Sequence, residues 1–171
     1  MNLEPLIQTL ETEVDIYKNF KEIEEGKTEV IVAGDLEKLD GILNTEEMLR
    51  MKLQGIEKKR IEIMKSLGLG NKTLLGVIET AEHKYKEKLS GIFKDLNFYI
   101  DALKQINDRN TKLVKARLEI IASVTKLFKE PKPGAKSGKN AGGSNEKIYG
   151  KNAKVLDQPD DFGTSVINKK I

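Results

Sequence analysis

The hydrophobic positions of the chain fall at helical spacing from its start. Leu3, Ile7, Leu10, Val14 and Tyr17 follow one another in alternating steps of four and three, the seam of a helix that packs along another helix. The pattern slips through Phe20 and Ile23 and resumes at Val30, Ile31 and Val32. Ala33-Gly34-Asp35 then punctuates it, because Gly34 can adopt the left-handed conformation that ends a helix and Asp35 can cap the next. The first predicted helix is thus about 30 residues, or roughly 45 Å.

A second helix of nearly equal length reads Leu36, Leu39, Ile42, Leu49, Leu53, Ile56, Ile63 and Leu67, with Glu46 and Arg60 at the two seam positions that are not apolar. So short a connection between equal helices predicts an antiparallel hairpin. Gly68 and Gly70 end it, and Asn71 is the expected cap of the third helix. From Lys72 to Phe128 no strong breaker occurs. Leu74, Leu75, Val77, Ile78 and Ala81 are out of register with the rest, which predicts a short helix and a bend near residues 80 to 86. Beyond the bend, Leu89, Ile92, Leu96, Ile100, Leu103, Ile106, Asn110, Leu113, Arg117, Ile120, Val124 and Phe128 hold the step of three and four closely. This last helix is predicted at about 45 residues, roughly 65 Å. The fold class is therefore all-α: a long antiparallel hairpin packed with a short helix and a longer final helix in a coiled-coil-like bundle.

Two seam positions of the last helix are polar. Asn110 fixes register, because its amide must find a partner among apolar neighbours. Arg117 can lay its stem along apolar side chains while its guanidinium reaches a carboxylate or water. Each suits a structural role or a partner contact equally.

The chain has no proline between Pro5 and Pro131, which permits long helices. After Phe128 the composition changes. Pro131, Pro133, Gly134, Gly138, Gly142 and Gly143 mix with Lys, Ser and Asn, a segment too poor in apolar residues to order itself. Three regions are expected: a helical domain over 1–128, a linker over 129–147 and a C-terminal tail over 148–171. Charge divides at the same point. Residues 129–171 carry 9 basic and 5 acidic side chains, whereas residues 1–128 carry 21 and 22. The basic character thus belongs to a Gly-rich segment with few aromatics, not to a folded face of the kind that binds nucleic acid.

Several chemistries are excluded by composition. Without Cys there is no disulfide, thiol nucleophile or thiolate metal site, and with His83 alone neither the two Glu-x-x-His pairs of a di-metal site nor a His-Glu-x-x-His site can form. Gly134-Ala-Lys-Ser-Gly138-Lys139 is one residue short of a phosphate loop and lacks the preceding strand. No apolar run spans a bilayer and no basic leader opens the chain, which reads as cytoplasmic. No enzyme activity, cofactor, metal, nucleic acid or membrane insertion is expected.

Lengths then point to a surface. A helix of roughly 65 Å on partners of roughly 45 Å leaves about 20 Å without full cover. Its apolar seam would face solvent, and such surface suits an amphipathic partner helix. The candidate partner-binding residues are Asn110, Leu113, Val114, Arg117, Ile120, Ile121, Val124 and Phe128; packing in a homodimer or against the hairpin is the other reading.

The order of motifs resembles the FlgN-type flagellar export chaperones. The resemblance rests on the opening Leu-x-x-x-Leu helix with Tyr17, Ala33-Gly34-Asp35-Leu36-Glu37-Lys38-Leu39 at the turn, and Glu57-Lys58-Lys59-Arg60. It continues through Asn107-Asp108-Arg109-Asn110-Thr111-Lys112-Leu113-Val114 to a linker before Ile148-Tyr149-Gly150. It implies a cytosolic, non-enzymatic chaperone for hook–filament junction proteins, with substrate held on the last helix and Tyr149 and Gly150 docking at the export gate. Ala153 stands where that family commonly has a second glycine. Tyr149 is also the sole aromatic between Phe128 and Phe162, and an isolated Tyr buries a large area at low rotamer cost. The alternatives are a coiled-coil homo-oligomerisation or structural module and an adaptor whose basic tail meets anionic surfaces.

Overall fold

A computed structural model describes residues 1–129 as four helices: α1 (Glu4–Ala33), α2 (Leu36–Ser66), α3 (Leu74–Thr80) and α4 (His83–Lys129). The expected linker and tail, with Tyr149 and Gly150, lie outside the described residues. The all-α class and the helix lengths agree with the sequence reading. Gly34 ends α1 at φ 76°, with its N–H shared between the carbonyls of Val30 and Ile31. The Asp35 side chain accepts from the Lys38 N–H at 3.0 Å, and that bond holds the Asp35 carboxyl below its ordinary pKa.

The end of α2 is closed by Gly68 at φ 72°, with the Leu69 N–H donating to the Met64 carbonyl at 2.8 Å. The next cap is not Asn71. Thr73 caps α3, its hydroxyl accepting from the Gly76 N–H at 3.1 Å. The bend falls at Ala81 and Glu82, inside the expected window; Ala81 is extended at ψ 148°, so the helix cannot run through it.

Helix α1 is the centre of the molecule. It packs against both α2 and α4, while the Cα atoms of α2 and α4 stay more than 8 Å apart. A central helix must bury two flanks, and α1 does so at the adjacent pairs Leu6–Ile7, Thr9–Leu10 and Ile16–Tyr17. This explains the apparent slip in its pattern: Leu6, Glu13, Ile16, Phe20 and Glu24 form a second buried stripe beside the first. Leu49 and Met64 of α2, Val77 and Ile78 of α3, and Leu89, Ile92, Leu96, Ile100 and Leu103 of α4 complete one core. Each such side chain contributes about 1.5–3 kcal/mol on burial. One seam assignment fails. Leu36 is 77% exposed, because the first turn of α2 lies at the hairpin tip.

Candidate functional site

Burial along α4 changes at one residue. Ile106 and Asn110 are buried, Leu113, Val114 and Arg117 are half-buried, and every residue from Leu118 to Phe128 is exposed. Arg117 marks the boundary chemically as well. Its Nη1 donates to the carbonyls of Ile31 and Val32, the latter at 2.6 Å. Those carbonyls belong to the last turn of α1, where intrahelical donors run out and the helix dipole is negative, so a guanidinium satisfies both needs. The same guanidinium lies over Gly34, where an added Cβ would collide with it.

Past this collar α4 runs on for about 18 Å with no other helix of the described residues beside it. Arg117, Ile121, Val124 and Phe128, at steps of four, three and four, continue the stripe that packs on α1 further back. Ile120 widens it. Ile120 is 63% exposed and Phe128 86%, so large apolar side chains stand bare over more than two successive turns. Sequence reading missed Leu118 and Leu127, both exposed on the flanks of the stripe, and the exposed Val32, whose carbonyl Arg117 holds, with Leu36 at the hairpin tip. The signal was present: a helix without neighbours exposes the positions next to its seam as well as the seam.

Asn110 does not belong to this surface. It is 2% exposed, and its partners are all internal. Its Nδ2 donates to the Glu24 carbonyl and to Glu24 Oε2, each at 3.0 Å, while its Oδ1 accepts from the Thr28 hydroxyl at 2.7 Å. Arg109 donates to the same hydroxyl at 3.0 Å. Turned about its amide, Asn107 also donates to both Glu24 oxygens. Lys27 then ties α1 to α2, reaching Glu24 at 3.1 Å and Glu46 at 2.7 Å. One ammonium thus serves two buried carboxylates. Burial chiefly, and the Glu24 charge in addition, raise the Glu46 carboxyl to about 7 against the pull of Lys27. This polar layer fixes the register of all three long helices just below the collar. Arg117 likewise serves the bundle, so the exposed candidates reduce to Ile120, Ile121, Val124 and Phe128, with Leu113 and Val114 leading into them.

A shallow depression lined by Gln105, Asp108, Arg109, Lys112, Leu113 and Ala116 belongs to α4 alone and cannot surround a ligand. Among the described residues no three His, Asp or Glu side chains gather as metal ligands, and no helix is long and apolar enough to cross a membrane. His83 is exposed in the first turn of α4, away from the stripe.

Among the described residues the longest helix outruns its partners and leaves apolar side chains bare, a face of the kind on which an amphipathic helix can pack. Residues 1–154 match the family described as FlgN protein, and the chain belongs to that family, which places it among the chaperones of flagellar assembly and export. It is also 26% identical over 124 residues to the uncharacterized protein YvyG of Bacillus subtilis (strain 168), covering 71% of this chain and 78% of the relative. No solved structure matches it.

Proposed function

We propose that this protein is a cytosolic chaperone that holds terminal helical segments of hook–filament junction proteins against the free end of α4 and delivers them to the export gate. The observation that supports this reading is the apolar stripe beyond Arg117, continuous with the core seam and, among the described residues, without a partner helix. An amphipathic client helix laid on it would restore the packing that α1 supplies to the rest of α4. Residues 129–147 act as a linker, and Tyr149 with Gly150 in the tail over 148–171 forms the docking element for the gate.

Co-expression with a junction protein followed by gel filtration tests the complex; both proteins eluting apart while folded would overturn the reading. Val124→Asp and Phe128→Asp sharpen it. Each places a charge in the contact and removes apolar burial worth about 1.5–3 kcal/mol, so client affinity should fall by at least roughly tenfold. Circular dichroism should stay near wild type, because neither side chain is buried in the free protein. Loss of helicity across the bundle would show that these positions belong to the core.

A further inference from the structure

The stripe must also be covered, or tolerated, when no client is present. We propose that the last segment of this chain, residues 155–171, lies on the free end of α4 in the unloaded protein and is displaced by the client. The inference shares its surface with the client reading, but its test needs no client.

Three observations favour this occupant. The first is charge. Between Lys112 and Phe128 the helix carries Lys112, Lys115, Arg117 and Lys126 against Glu119 alone. Residues 155–171 carry Asp157, Asp160 and Asp161, gathered ahead of Phe162, against Lys169 and Lys170 at the far end, so the acidic stretch over 155–163 is opposite in sign to the helix. The second is apolar content. After a linker nearly devoid of large hydrophobics, Val155, Leu156, Phe162, Val166 and Ile167 return together, the side chains a bare stripe would receive. The third is reach. The chain leaves α4 directly beyond Phe128, and the connection over 130–154 is Gly- and Lys-rich. A connection of that composition spans about 25–30 Å root-mean-square, against the roughly 18 Å of uncovered helix. Tethering at that distance gives an effective concentration of the order of millimolar, so even weak contacts would keep the stripe occupied. The match to the family model covers residues 1–154 and does not extend over this segment.

The absence of cysteine makes the test clean. In the full chain, Ser123→Cys and Ser165→Cys place one thiol beside the stripe and one in the terminal segment, each by a near-isosteric change. Under mild oxidation this pair should close an intramolecular disulfide at least roughly tenfold faster than Ser66→Cys paired with Ser165→Cys, because Ser66 ends α2 away from the stripe. The preference should shrink as salt rises and screens the Asp–Lys attraction. Equal rates for the two pairs would overturn the proposal. Disulfides forming mainly between molecules would also overturn it, in favour of a second copy on the stripe. A chain ending at residue 154 should bind an apolar-surface dye more strongly than the full chain; unchanged dye binding counts against the proposal.

Discussion

Replacing Glu46 by glutamine should stabilise the protein in mildly alkaline solution and flatten its pH dependence. Lys27 sits between Glu24 and Glu46 at 3.1 and 2.7 Å, and the Glu46 side chain is only 8% exposed, so the layer holds one more negative than positive charge when both carboxyls are ionised. Burial raises Glu46 from its ordinary 4.5 to about 7. A carboxyl raised in this way binds its proton more tightly in the folded state. Its stabilising contribution is therefore present below the ordinary value and is lost as pH rises through about 7. Fully removed from solvent, the group would contribute about 3 kcal/mol over that window; screening by nearby water reduces this to about 1.5 kcal/mol. Glutamine imitates the protonated form, accepting from Lys27 and donating to Glu24, and leaves Lys27 with one carboxylate. Urea unfolding at about pH 5 and about pH 8, followed by circular dichroism, gives the comparison. The variant should match wild type at the lower pH and exceed it by about 1–2 kcal/mol at the higher. A variant less stable than wild type by the same amount at both values would show that Lys27 needs both charges, and would refute the reasoning.

Three further outcomes are expected. Asn110→Leu completes the apolar seam by pattern yet should destabilise by about 1–3 kcal/mol in chemical denaturation, because it removes donors from the buried Glu24. Gly34→Ala should cost about 1–2 kcal/mol, since φ is 76° and the new Cβ meets the Arg117 guanidinium; adding Arg117→Ala should relieve the collision but not the backbone term. Tyr149→Ala should leave client binding in gel filtration intact and reduce export of the client, which a swimming assay reads.

The helices were legible because their punctuation is local. Gly34 and Asp35 act within one turn of themselves, so reading them required no knowledge of the fold, and the length of α4 followed from the out-of-register positions before residue 86 and the unbroken seam to Phe128. What escaped depended on which helix is central. Glu24 and Glu13 look like surface residues of a one-sided helix, and only the placement of α1 between α2 and α4 turns their face inward. Glu46, Arg60 and Asn110 were visible as polar interruptions of a seam, but their partners lie on other helices and no spacing rule names them. Thr73 rather than Asn71 caps α3 for a related reason: both residue types cap well, and the choice follows from where α3 must start to set Val77 and Ile78 on the core.

The collar at Arg117 has a consequence for the kinetics of the free end. An isolated peptide as short as Leu118 to Lys129 would scarcely be helical in water, because starting a helix fixes several residues for a single hydrogen bond. Here the start has already been made, since the residues before Leu118 belong to a packed helix, and the remaining turns need only propagate from it. Propagation is reversible in nanoseconds per residue. The end of α4 can therefore unwind and rewind from its tip without disturbing the bundle, adjusting its length to whatever lies along it, while Arg117 stops the fraying from reaching the hairpin.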